Sequence, residues 1–248
     1  MTIKYFSKRF FITGATRGIG RAVVDGVRKA GGIVYGLGSN KELLDKLVEE
    51  CPDVTPVHVD LSDWDSSRKE LEKLPAMDGI VNNAGYAAHW VASLDAPKEL
   101  IDKTLNINLM GAINVIQVLG KKMVEAGNGG SIVNISSVNG IKSMRECMAY
   151  NVSKAALDMV TKQYALELGP YNIRVNSVNP TVILTDMGRE HWGDPKKGVK
   201  LINATPLGRF CKVHEAVNPI LYLLSDYSSM VTGTINPVDG GLLSNNHV

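Results

Sequence analysis

The sequence predicts an α/β fold: a doubly wound parallel sheet of about seven strands with helices on both faces. Three observations carry that prediction. Apolar runs of strand length alternate with segments of helical period, and the runs are apolar throughout instead of alternating with polar residues. A glycine-rich turn joins the first run to the first helical segment. Strands that are apolar on both faces must be covered on both, and crossovers between parallel strands supply that cover.

Phe10–Thr13 is the first strand, and Gly18–Ala30 is the helix that returns over one face. Ile33–Leu37 and Val54–Val59 follow as strands, separated by the helical stretch Lys41–Glu50. Trp64–Lys73 leads to the strand Gly79–Asn82. The long helical stretch Pro97–Ala126 leads to Ser131–Ile135, and Ala149–Leu168 to Ile173–Val178. Within that last helix the Met and Leu positions from Leu157 to Leu168 read as core. Residues 187–205 are polar, weakly periodic and longer than an ordinary connection, so they are the expected lid over a substrate. Neither repeat nor linker interrupts the pattern, and residues 1–248 read as one domain.

Composition removes several functions. The chain has 248 residues, 44% hydrophobic and 21% charged, with a formal net charge of +2. That balance gives no electrostatic reason to expect nucleic acid or an anionic membrane as partner. No run approaches the roughly 20 apolar residues of a membrane-spanning helix, and the start of the chain does not resemble a cleavable signal. The three cysteines, Cys51, Cys147 and Cys211, are far apart and lack metal-ligand or disulfide spacing. A reducing cytoplasm is therefore the expected compartment, and no metal site is expected.

The turn Thr13-Gly14-Ala15-Thr16-Arg17-Gly18-Ile19-Gly20 lies between a strand and a helix. Glycines there allow positive φ and close backbone approach, so the helix N-terminus can receive a pyrophosphate. A dinucleotide fold selects NAD with a carboxylate at the end of the second strand, but this chain has Ser39, Asn40 and Lys41 there. Ser39 and Asn40 as neutral donors, with charge from Arg17 and Lys41, suit the 2′-phosphate of NADP(H). Asp60-Leu61 and Asn83-Ala84-Gly85, beyond the third and fourth strands, extend the same crevice for adenosine and ribose.

Chemistry is expected at the far end of that crevice. Tyr150 and Lys154 are four apart on one helical face, where a cation stabilises phenolate and lowers the phenol pKa. Ser137, at the end of the fifth strand, is placed to hold a substrate oxygen beside Tyr150. Asn108, in the helix between strands four and five, is placed to anchor a water relay, and Ser136 reads as structural. Val138, Cys147 and Trp192 are the expected substrate-pocket residues, Cys147 as a small wall group and Trp192 as part of the lid.

Taken together, the glycine turn, Asn82-Asn83-Ala84-Gly85, Asn108, Ser137, Tyr150, Lys154 and Asn179-Pro180 followed by Thr185 resemble the short-chain dehydrogenase/reductase family across nearly the whole chain. The resemblance implies a Rossmann fold and a catalytic tetrad of Asn108, Ser137, Tyr150 and Lys154, with Lys154 also holding the nicotinamide ribose. It implies that the Ile183 backbone and Thr185 grip the carboxamide, that Pro180 also contacts the cofactor, and that the protein is a homotetramer. Glu50-Cys51-Pro52, Val59 to Trp64, Leu166 to Pro170 and Asn179-Pro180-Thr181-Val182 further resemble the dicarbonyl/L-xylulose reductases. Ser39 stands where those reductases carry an arginine, which shifts 2′-phosphate recognition onto Arg17 and Lys41. Cys147 stands where they carry a histidine.

The implied activity is NADPH-dependent reduction of a small polar ketone, L-xylulose or an α-dicarbonyl such as diacetyl. A 3-oxoacyl or sterol/retinol-type reductase is the rival within the class, and a non-catalytic NADP(H)-binding scaffold or redox sensor the rival outside it. A scaffold has no need of both Tyr150 and Lys154.

Overall fold

The computed structural model describes residues 3–87 and 90–245. Seven strands form one parallel sheet: β1 (Arg9–Thr13), β2 (Ile33–Gly38), β3 (Thr55–His58), β4 (Gly79–Asn82), β5 (Gly130–Ile135), β6 (Ile173–Pro180) and β7 (Ile235–Val238). Their order is β3-β2-β1-β4-β5-β6-β7, so the winding reverses between β1 and β4. A crevice opens beyond the strand ends at such a reversal, which fixes the place of a ligand before any side chain is considered.

The helices divide between two cores. On one face, α1 (Gly18–Lys29), α2 (Lys41–Glu50) and α10 (Val213–Leu224) press Val23, Val24, Val27, Leu44, Leu47 and Ile220 onto the sheet. On the other lie α3 (Trp64–Glu72), a long helix and α7 (Met148–Leu168). The long helix runs as α4 (Lys98–Leu105), a π turn (Asn106–Met110), α5 (Gly111–Val115), a second π turn (Ile116–Gly120) and α6 (Lys121–Ala126). Each π turn inserts a residue into the 3.6-residue repeat and changes which side chains face the sheet.

Local chemistry sets the boundaries. Asn40 and Asp63 cap α2 and α3 by accepting from Leu43 N–H and Ser66 N–H, each at 2.9 Å. Gly127, at φ 69°, ends α6 in the left-handed conformation that spares a glycine the Cβ clash. In α7, Leu157 is buried, but Met159 and Leu166 are 60% and 75% exposed, which corrects the expectation that all the Met and Leu positions there are core. Residues 187–205 are also more ordered than their pattern predicts, falling into α8 (Asp186–Trp192) and α9 (Pro195–Ala204). Among the described residues, no helix is long and apolar enough to cross a membrane.

Candidate active site

A single cavity of about 600 Å³ runs along the carboxyl ends of the strands, from the glycine turn to Trp192. That volume suits a small-molecule site.

At one end, Gly14 and Gly18 have φ of 63° and 58°. A Cβ at Gly14 would lie 2.8 Å from Asn83 Nδ2 and 3.0 Å from Ala84 Cα, so the turn closes against the β4 end only as glycine. Arg17 is the N-cap of α1 but contributes no side-chain cap, and the first turn has no acidic residue. The free amides of a twelve-residue helix therefore face the crevice without a competing anion, the donor set that a pyrophosphate needs. Arg17 lines the crevice with its side chain exposed. Thr181, also on the wall, has a buried hydroxyl with no hydrogen-bond partner among the described residues. These features fit a dinucleotide.

The expected cofactor residues separate into two groups. Gly14, Arg17, Gly18, Ile19, Ser39, Asn40, Asp60 and Leu61 line the crevice, as do Asn83, Ala84, Gly85, Pro180, Ile183 and Thr185. Gly20 does not. A Cβ there would be driven into the Gly14 carbonyl and the Asn83 side-chain amide, so its part is to let helix and turn close together. Lys41 is also absent from the wall, because its ammonium pairs with Asp45 at 2.9 Å along α2. Asn83 turns its amide inward, donating to Thr13 O at 2.9 Å and Gly14 O at 3.2 Å. One Asp60 oxygen accepts from Ser62 N–H at 2.9 Å, leaving the other for a ligand. His58, unremarked in the sequence, contacts the Ser39 carbonyl through Nε2 at 3.1 Å and props the β2–α2 turn.

At the other end, Ser137, Tyr150 and Lys154 share one wall. β5 delivers Ser137 and α7 delivers the other two, so sheet and helix packing set their spacing. Tyr150 and Ser137 are hydrogen-bonded through their side chains. The Lys154 ammonium is 5.5 Å from the Tyr150 ring centroid and donates to Ile135 O at 2.8 Å. Asn108 is off the wall: in its π turn it donates to Tyr86 O and Ser153 Oγ, each at 3.0 Å, and accepts from Tyr86 N–H at 2.7 Å. It fixes the segment after β4. Ser136 donates to Lys154 O at 3.1 Å, a structural part.

The electrostatics depart from the expectation for Tyr150. By surface area the residue is half-buried, yet protein packs closely around it, and that burial pushes its pKa up to about 12; the Ser137 hydrogen bond opposes the rise and Cys147 adds to it. Burial also brings Lys154 down to about 8. Without ligand the phenol therefore stays protonated at neutral pH while the ammonium keeps most of its charge.

The substrate end is enclosed by aromatic residues. Trp192 lies edge-on to Trp90, centroids 5.3 Å apart, and to Phe210 at 6.4 Å. It thus both lines the cavity and packs α8 against the loop after β4. Trp90 was not legible as a site residue, since only the long-range contact identifies it. Val138 and Cys147 are on the wall. Burial, then Glu146, pushes the Cys147 thiol up to about 11, which makes it an inert wall group at neutral pH.

Comparison with known proteins agrees with this geometry. A family model described as enoyl-(acyl carrier protein) reductase matches residues 14–243. The L-xylulose reductase of Mus musculus is 44% identical over 98% of this chain and all of its own. Carbonyl reductase (NADPH) 2 of Sus scrofa is 41% identical over the same shares. Among solved structures, a gluconate 5-dehydrogenase from Burkholderia cenocepacia in complex with NADP and tartrate superposes with a TM-score of 0.92 at 27% identity, over 98% of each chain.

Proposed function

The chain belongs to the short-chain dehydrogenase/reductase family and is an oxidoreductase that uses a nicotinamide dinucleotide, and from that premise we propose that it reduces small polar ketones with NADPH. L-xylulose, giving xylitol, and α-dicarbonyls such as diacetyl are the proposed substrates. The observation that carries this reading is the convergence of Ser137, Tyr150 and Lys154 on one wall of a crevice that is continuous with the glycine turn.

The reduced nicotinamide, when bound, supplies hydride to the carbonyl carbon. Tyr150, protonated at neutral pH, gives its phenolic proton to the substrate oxygen. Ser137 holds that oxygen and steadies the phenol. Lys154 holds the nicotinamide ribose, and its charge favours the phenolate left behind once the site is filled. Asn108 fixes the segment beside them through Tyr86 and Ser153.

NADPH preference rests on the β2 end, where Ser39 and Asn40 replace a carboxylate, and on Arg17 across the crevice. Aromatic enclosure by Trp90 and Trp192 suits a compact substrate better than an acyl chain or a sterol, and residues 187–205 serve as its lid. We also place the protein in the cytoplasm as a single-domain homotetramer. The exposed Val152, Met159 and Leu166, seven apart on one face of α7, suit packing against a second copy. Steady-state oxidation of NADPH and NADH with pentuloses, dicarbonyls and acyl ketones tests the proposal. Turnover of L-xylulose or diacetyl with NADPH supports it; tight nucleotide binding with no turnover of either favours a scaffold.

A further inference from the structure

Beneath the catalytic wall lies a carboxyl that the mechanism above does not use. Asp158 is one helical turn beyond Lys154 and 7% exposed, and among the described residues it is the only buried Asp or Glu. Its neighbours are Ser136 from the β5 end, Ser177 and Asn179 from β6, and Gly140 from the turn after Ser137. Of these, none titrates. The charges that face it are on its own helix: Lys154 toward the cavity and Lys162 beside it in a shallow outer groove, which Ile235 of β7 also lines.

The hydrogen bonds around it fix where the protons are. Asn179 Nδ2 lies 2.9 Å from the Ser137 carbonyl, which can only accept, so the amide orientation is set and Asn179 Oδ1 is an acceptor. Ser177 Oγ is 2.6 Å from that Oδ1 and must donate to it. A hydroxyl has one proton, and the Ser177 proton is thereby used. Yet Ser177 Oγ is also 3.1 Å from Asp158 Oδ1. With a carboxylate there, two acceptors would face each other inside the protein; with a carboxylic acid, Oδ1 donates to Ser177 and the contact becomes a bond. The Ser136 hydroxyl can give its proton to the carboxyl or to Lys154 O, but neither choice supplies the missing proton between Asp158 and Ser177.

We infer that Asp158 is a positioning residue that works as a neutral acid: its proton closes the chain Asp158 to Ser177 to Asn179, which clamps the Ser137 backbone. A second strand of the same clamp is direct, since Asn179 Nδ2 also donates to Asp158 Oδ2 at 2.9 Å. Neutrality matters because a carboxylate one turn from Lys154 would cancel the positive charge that Tyr150 and a ribose need. Burial raises the carboxyl pKa, as a neutral acid requires, against the three hydrogen bonds and Lys154. A Cβ at Gly140 would fall 2.8 Å from Asp158 Oδ2 and 3.0 Å from Lys154 O, so the turn holding Ser137 is seated directly on this clamp.

The inference rests on the proposed roles of Ser137 and Lys154, but its first test is independent of them. Infrared difference spectra of the full-length protein at pH 7, in light and heavy water, should show the C=O stretch of one protonated carboxyl, present in the wild type and lost in Asp158→Asn. Because the exposed carboxyls are ionised at that pH, the wild-type band is assignable even should the variant not fold. A spectrum with carboxylate bands alone overturns the inference. Activity is the second test. Asn keeps a neutral donor toward Ser177, so Asp158→Asn should hold kcat/KM within about threefold and leave the alkaline limb of the pH profile in place, whereas Asp158→Leu should lose roughly tenfold or more. A downward shift of that limb in Asp158→Asn would show that Lys154 depends on a negative charge, and the inference would fall. Full activity of Tyr150→Phe would instead remove the catalytic reading while leaving the infrared result standing.

Discussion

Lys154→Met separates what the ammonium does for catalysis from what it costs the fold. The wild-type amine is 4% exposed and titrates at about 8 instead of 10.5. A base whose folded pKa is depressed binds fewer protons folded than unfolded between those values, so stability rises with pH across that window. Below pH 8 the full penalty applies, about 3 kcal/mol at roughly 1.4 kcal/mol per pH unit. Methionine fills similar space without charge, but it leaves Ile135 O without the 2.8 Å bond, which costs about 1–2 kcal/mol. The ligand-free variant should therefore be more stable than wild type at pH 7 by about 1–2 kcal/mol, or roughly 3–6 °C in melting temperature for a chain of this size. Thermal unfolding in the absence of nucleotide, repeated from pH 7 to 10.5, measures it; the gap should close at about pH 9 to 10, where the charge penalty has fallen to the worth of the lost bond, and reverse in sign by 10.5. Activity should fall at every pH. A variant less stable at pH 7, or a gap indifferent to pH, would refute the claim that Lys154 is held charged against its surroundings.

Tyr150→Phe should bind NADPH with unchanged affinity and lose at least about 100-fold in turnover, as expected for a proton donor; nucleotide fluorescence titration and steady-state rates check the two halves. Arg17→Ala should weaken NADPH by about 10- to 100-fold, the worth of a charge-assisted hydrogen bond, and leave NADH unaltered. Equal losses with both nucleotides would place Arg17 on the pyrophosphate instead. Gly20→Ala should cost about 3 kcal/mol or more in unfolding free energy and weaken both nucleotides together, because its methyl group meets backbone; denaturant titration reads the first effect.

Much of this was legible because the signals are local. Strands apolar on both faces and a glycine turn at a strand–helix junction identify a doubly wound sheet without long-range information. Six strands and five helical stretches emerge with boundaries close to those observed, and Ser137, Tyr150 and Lys154 indeed meet on one wall. What stayed hidden depends on distant contacts or on exceptions to periodicity. Strand β7 is a short edge strand containing Pro237, and α10 carries Pro219 in its interior, so both read as breaks. Gly188, Gly193, Gly198 and Pro195 concealed α8 and α9 in the same way. The ion pair of Lys41 with Asp45 was available from i,i+4 spacing alone, whereas the burial of Tyr150, which reverses the direction of its pKa, was not.

The two π turns of the long helix bear on how this chain tolerates changes of length. Each has one residue more than an α turn needs, so deleting one residue between 106 and 110 would heal the helix instead of breaking it. The price falls on the turn itself: the π turn absorbs its extra residue by under-winding, so on deletion the flanking faces stay in register while the side chains inside the turn are re-aimed. Asn108 would leave Tyr86 and Ser153, and the loop that closes the catalytic wall would lose its anchor while the sheet behind it stayed intact. A shortened homologue could thus keep its fold and melt normally, yet be silent as an enzyme, for want of a single residue that no side-chain substitution can replace.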